Sequence, residues 1–120
     1  MPNKTSPLHQ QKCEPCSGDT PVLTGPQLQN FYERIADDWE LVDEHHLHRV
    51  YKFDDFREAL EFTYQIGEMS EQENHHPNIE LTWGKVEVTI YTHAIDGLSE
   101  NDFIWASKAD TIFDQEKFKI

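Results

Sequence analysis

The chain has 120 residues, 12% of them aromatic, and its 23 carboxylates against ten Lys and Arg give a formal net charge of −13. That length suits one domain with a real core and is too short for two. The acidity argues against direct binding of a nucleic-acid backbone, which draws on clustered cations. No apolar run is long enough to span a bilayer, and Met1-Pro2-Asn3-Lys4-Thr5-Ser6 lacks the apolar stretch of a secretory signal, so a soluble cytoplasmic protein is expected.

Residues 1–21 hold four of the six prolines and almost no periodic apolar pattern, which predicts a flexible or irregular leader. The two cysteines lie in it as Cys13-Glu-Pro-Cys16. Such a pair can be half a zinc site, completed by a second chain or by His9, a redox couple, or two thiols in a loose leader. The last reading carries more weight, because a second pair and a thioredoxin-like βαβ pattern are absent.

The folded domain is expected from residue 22 onward. Thr24-Gly25-Pro26-Gln27 reads as an N-cap threonine with proline in the first turn and glutamine three residues on. Leu28, Phe31, Tyr32, Ile35 and Ala36 follow at helical spacing. Trp39 to Asp43 is a short candidate strand, and Leu47 to Phe53 a stronger one, bounded by Asp54-Asp55. Phe56, Ala59, Leu60, Thr63, Ile66 and Gly67 return to helical spacing. That helix should stop at Asn74, because the residue before Pro77 is pushed out of the α region.

Ile79 and Leu81 mark a third strand; Val86, Val88 and Ile90 mark a fourth. Ser99-Glu100-Asn101-Asp102 opens a third helix with Phe103, Ala106, Ala109, Ile112 and Phe113 as its apolar positions. The order is α-β-β-α-β-β-α. Short ββ links imply antiparallel pairs, hence an α+β fold: one four-stranded antiparallel sheet with three helices packed on one face.

The chemistry concentrates in His75-His76-Pro77, His93 and Asp102, three imidazoles and a carboxylate within 28 residues. Imidazole ordinarily titrates near ~6.5, so such a cluster points to acid–base work or a metal. With Trp83-Gly84 as a two-residue turn, Thr82 faces Lys85. Extending that register sets Thr92 opposite His75, and His93 opposite Asn74. Cα atoms opposed in this way are ~4.5–5.5 Å apart, so the hairpin alone draws the three imidazoles together. Adjacent histidines in extended chain diverge, which makes them awkward joint metal ligands. Asp102 is read either as a cap of the third helix or as a functional group, and the two roles are compatible. His45, His46 and His48 are read as solvated or core side chains.

Glu71-x3-His75-His76-Pro77-x5-Trp83-x9-His93-x8-Asp102 resembles the signature of the pterin-4a-carbinolamine dehydratases. Trp39, the Leu47-His48-Arg49-Val50-Tyr51-Lys52-Phe53 strand, Phe56 with Ala59 and Phe62, and Thr92-His93 with Gly97-Leu98-Ser99 extend the likeness over about residues 22–113. Trp83 stands where tyrosine is commoner, and the cysteine-bearing leader resembles that of bacterial members.

The resemblance implies a hydro-lyase that converts 4a-hydroxytetrahydropterin to quinonoid dihydropterin and water, recycling the cofactor of aromatic amino acid hydroxylases. It implies catalysis by His75, His76 and His93, with His75 and His93 as the acid–base pair and His76 mainly holding the pterin. It further implies substrate contacts from Asn74, Pro77, Tyr91, Thr92 and Ala94 besides those histidines, and support from Asp102 and Trp83. No metal or organic cofactor is implied. The expected partners are the pterin, a second or further copies as homodimer or homotetramer, and an aromatic amino acid hydroxylase. Some members serve as dimerisation cofactors for a transcription factor, and related proteins assist assembly of a carbon-fixing enzyme. A non-catalytic binding or assembly module on the same fold is therefore the rival reading.

Overall fold

The computed structural model describes residues 7–15 and 17–115. Three helices, α1 (Gly25–Tyr32), α2 (Phe56–Glu73) and α3 (Glu100–Gln115), accompany four strands, β1 (Glu40–Val42), β2 (His46–Lys52), β3 (Asn78–Thr82) and β4 (Lys85–Ile90). The strands form one sheet in the order β1-β2-β4-β3, antiparallel throughout. The expected element order and the α+β class both hold. No helix among the described residues is long and apolar enough to cross a membrane.

Alternation decides which face of the sheet is covered. Leu47, Arg49 and Tyr51 of β2 are buried and pair in register with Ile90, Val88 and Val86 of β4. His46, His48 and Val50 point to the other, half-open face. Against the covered face pack Ala59, Phe62, Ile66 and Met69 of α2 and Phe103, Trp105, Ala106 and Ala109 of α3. Trp39 meets Tyr51 and Trp105 edge-on at 6.2 and 6.4 Å between ring centroids. Such contacts add to what the burial of these large rings already contributes.

Two helix ends differ from expectation. Thr24 precedes α1, but Gly25 takes a left-handed φ of 58°, so the chain turns ahead of the helix and the threonine hydroxyl makes no capping bond. At the other end, Ile35 donates back to Tyr32 and Trp39 to Ala36, tight three-residue closures that finish α1 at Tyr32 rather than Ala36.

The described part of the leader is irregular, with a 3-10 turn at Leu8–Gln10, yet residues 7–15 are docked. Leu8 is buried in the core. The Cys13 amide donates to Glu73 Oε1 at 2.8 Å, and Glu14 and Asn101 exchange two bonds of 2.9 and 2.6 Å. Lys108 Nζ donates to the His9 carbonyl at 2.9 Å. This covering explains why residues 101–106 of α3 are buried on every side rather than along one stripe. Cys16 lies outside the described residues.

Beneath the sheet sits a polar knot that apolar periodicity did not reveal. Asp110 accepts from Arg49 Nη1 at 2.6 Å, Tyr51 Oη at 2.7 Å and Trp39 Nε1 at 2.9 Å. Burial pushes the Asp110 carboxyl above its ordinary value, against the pull of those three donors. The same burial, reinforced by the carboxylate, raises the Tyr51 phenol well above 10.0.

Candidate active site

Three chain reversals build the site. The first ends α2: Asn74 adopts a left-handed conformation (φ 54°, ψ 42°), which asparagine tolerates better than most residues. The His75 amide then donates back to the Ser70 carbonyl at 3.1 Å, a six-residue closure that sends His75 inward. His76 emerges on the outside, with about half of its side chain exposed. The adjacent imidazoles do diverge.

The second reversal follows β4. The hairpin register is Thr82↔Lys85 through Asn78↔Thr89, and Gly84 at the turn lies so close to the Phe53 carbonyl that a Cβ would meet it at 3.1 Å. The ladder stops there, so the extrapolated pairs Thr92–His75 and His93–Asn74 do not form. Asn74 ends a helix, and Thr92 instead bridges to Gly97, closing a loop that carries the 3-10 turn His93–Ile95. The imidazoles converge all the same, because both strand ends open onto one pocket.

The third is the start of α3. Ser99 N–H donates to Asp102 Oδ2 at 2.8 Å, which makes Asp102 a capping carboxylate. Fully buried, Asp102 also takes the Thr92 hydroxyl on Oδ2 at 2.8 Å and His75 Nε2 on Oδ1 at 2.7 Å. Thr92 has one proton to give, so the Ser99 hydroxyl, 2.8 Å away, donates to it. One side chain thus caps the helix and meets His75. With the Nε2 proton pointed at a carboxylate, His75 in its neutral form presents Nδ1 as an acceptor.

Asn74, His75, His76, Thr92, His93 and Ala94 line a pocket of about 270 Å³. His76 Nε2 contacts Glu71 Oε2 at 2.6 Å, and the exposed His93 ring stacks on Tyr91 at 4.3 Å with a 19° interplanar angle. A larger groove of about 390 Å³ runs between α2 and α3, but its Lys108 and Glu73 are committed to each other at 3.6 Å and it gathers no set of imidazoles.

Three expected site residues fall elsewhere. Trp83 occupies the far turn of the β3–β4 hairpin, two-thirds exposed, and is no wall of this pocket. Tyr91 lies behind His93 rather than in the lining, and Pro77 is half-buried outside it. Thr92 lines the pocket, but its hydroxyl is spent on Asp102. Conversely, the sequence placed Glu71 only in the signature and Ser99 only at the start of the third helix, and gave neither a partner. The Ser-x-x-Asp spacing at the start of α3 was the available signal for Ser99.

The architecture defines an α+β protein whose pocket combines a buried histidine–carboxylate pair with two accessible imidazoles. The sequence profile of the pterin 4 alpha carbinolamine dehydratase family matches residues 21–112, and the chain belongs to that family. A protein of Rubrobacter xylanophilus is 47% identical over 107 residues, covering 89% of this chain and 99% of its own. One from Alkaliphilus metalliredigens is 46% identical over 103 residues, covering 86% and 93%. Both carry the provisional name pterin-4-alpha-carbinolamine dehydratase. A Brucella melitensis crystal structure, titled a transcriptional coactivator/pterin dehydratase, superposes with a TM-score of 0.72 at 31% identity. It covers 77% of this chain and 98% of that one.

Proposed function

We propose that this protein removes water from a 4a-hydroxytetrahydropterin, leaving the quinonoid dihydropterin, by imidazole acid–base catalysis. The reading is carried by the buried 2.7 Å contact between His75 and Asp102, in a pocket shared with His76 and His93. In the reaction the bond from C4a to the hydroxyl oxygen breaks, and that oxygen takes a proton and departs as water. The neighbouring ring nitrogen gives up its proton as its electron pair forms the new C=N bond. One acid and one base are required, each worth ~10²–10⁴-fold.

His75 suits the base. Its Nδ1 lone pair is available, and Asp102 stabilises the imidazolium that forms on proton uptake. His93, exposed at the pocket rim, suits the acid that meets the departing oxygen. His76, braced by Glu71, holds the ring system together with the backbone edges of Asn74 and Ala94. At about 270 Å³ the pocket lies just below the usual range of ligand sites, ~300–1,000 Å³, a size that suits a small substrate.

Phe56, Leu60 and Tyr64 form an exposed apolar stripe at i, i+4, i+8 of α2, which supports a homodimer or homotetramer. An aromatic amino acid hydroxylase is the proposed source of the substrate. The Brucella protein's title joins a coactivator role to the dehydratase one. A purely non-catalytic module has no use for three converging imidazoles and a buried carboxylate, so the enzymatic reading is preferred. The test is stopped-flow absorbance of enzymatically generated 4a-carbinolamine with purified protein. Decay accelerated in proportion to protein concentration is expected; decay at the uncatalysed rate would leave only the non-catalytic reading.

A further inference from the structure

We propose that His45, on the turn between β1 and β2, is a positioning residue that holds the His93 imidazole in its working orientation. The inference deepens the dehydratase reading above and rests on it. Among the described residues, no side-chain hydrogen bond holds the His93 ring. What contacts it is the face of Tyr91, at 4.3 Å and 19°. Tyr91 in turn meets His45, with 4.6 Å between ring centroids and a 42° tilt. His45 also reaches the loop that carries His93: its Nε2 sits 2.7 Å from Asp96 Oδ1, and the Asp96 amide closes the turn by donating to the His93 carbonyl at 3.2 Å. His45 therefore reaches His93 by two routes, through its tilted contact with the Tyr91 ring and through Asp96 at the end of the His93 turn.

Backbone strain points the same way. The non-glycine residues with left-handed φ among those described are Asp43 (54°), Glu44 (55°), Asn74 (54°) and Asp96 (50°). Asn74 aims His75, Asp96 ends the His93 turn, and Asp43 with Glu44 form the tight turn from Val42 to His45 that aims His45. Strained backbone persists where its surroundings over-determine it, and it gathers at working sites. Here all four instances lie on the three turns that orient imidazoles.

The protons also fit. If His45 donates from Nε2 to Asp96, its Nδ1 is left to accept from His46 Nδ1, 3.1 Å away. Burial holds the His46 pKa below its ordinary value and so favours the neutral ring, which has one proton to give. His48 on the same hairpin instead faces Glu40 and Glu87, at 3.1 and 3.0 Å, and touches none of this chain of rings.

The test is a double-mutant cycle in the full-length protein with a substrate-free spectrum beside it. His45→Ala should lower kcat by about 10- to 100-fold with KM within about twofold, because a misaimed group loses rate more than binding. His45→Gln, which keeps a donor for Asp96, should recover part of the loss, and His48→Ala should lose nothing. In a His93→Ala background His45→Ala should cost no further rate, since it acts through the missing ring. Losses that multiply in the double variant, or a His48→Ala defect of equal size, would overturn the proposal. Imidazole NMR of the resting protein should show the His93 ring signals displaced by His45→Ala and those of His75 unmoved. Unmoved His93 signals would equally overturn it. That spectrum needs no turnover, so an inactive wild type would sink the dehydratase reading and leave this one separately tested.

Discussion

His75 and Asp102 stand 27 residues apart in the chain and 2.7 Å apart in the fold. The pair joins the end of α2 to the beginning of α3, and Asp102 serves both partners: it caps the helix through Ser99 and fixes a ring nitrogen of His75. One buried carboxylate thus links a helix cap to the proposed chemistry.

Replacing Asp102 separates those roles. Asp102→Asn keeps the shape but turns one acceptor atom into a donor that faces His75 or the Ser99 and Thr92 donors. A kcat loss of at least about 100-fold is expected, by analogy with other imidazoles deprived of their orienting carboxylate. Asp102→Ala strands the Ser99 amide, the Thr92 hydroxyl and His75, and should also cost about 2–4 kcal/mol in denaturant melts. An Asn variant with unchanged kcat would reduce Asp102 to a cap.

His75→Ala and His93→Ala should each slow dehydration at least about tenfold while leaving the far-ultraviolet circular dichroism intact. If one imidazole partly covers for the other, the double variant will fall well below either single one. Stopped-flow rates at wild-type level in the double variant would remove both from the mechanism.

His76 is half-exposed and tied to Glu71, which suits the holding role proposed for it. His76→Ala should raise KM several-fold more than it lowers kcat, because a group that binds ground state and transition state alike mainly sets affinity. A collapse of kcat at constant KM would contradict that role.

Leu8 tests the docking of the leader. It is buried to 4% exposure against α3, some ninety residues downstream. Leu8→Ala should destabilise the fold by about 2–4 kcal/mol, the usual range for emptying a buried leucine site. Turnover well below the melting temperature should be unchanged, since Leu8 is no part of the pocket lining. An unshifted urea midpoint would mean that the leader contributes no core.

Asp110 gives a pH dependence of definite sign. Its folded-state pKa lies above the ordinary 3.8, so the folded chain holds that proton more tightly than the unfolded one. The stabilisation from this is fully present below 3.8 and is lost as pH rises through the folded value. Asp110→Asn removes the term. The stability difference between wild type and this variant should therefore shift in favour of the variant as pH rises across that window. Urea melts showing a constant or opposite trend would refute the direction.

The sequence by itself determined the order of elements, the strand alternation, the Thr82↔Lys85 register and the presence of three histidines at one end of one hairpin. These are local signals: a period of two or 3.6, a turn residue, a motif with fixed spacing. Tertiary structure alone decided the rest. Extending a ladder past Asn78 failed because a left-handed Asn74 and a bridge from Thr92 to Gly97 take over where pairing stops. Which histidine is buried, which carboxylate it meets, how Asp110 gathers three donors and how the leader caps α3 all join residues far apart in the chain. Periodicity reports which face of an element is apolar, and a polar contact across elements leaves no period behind.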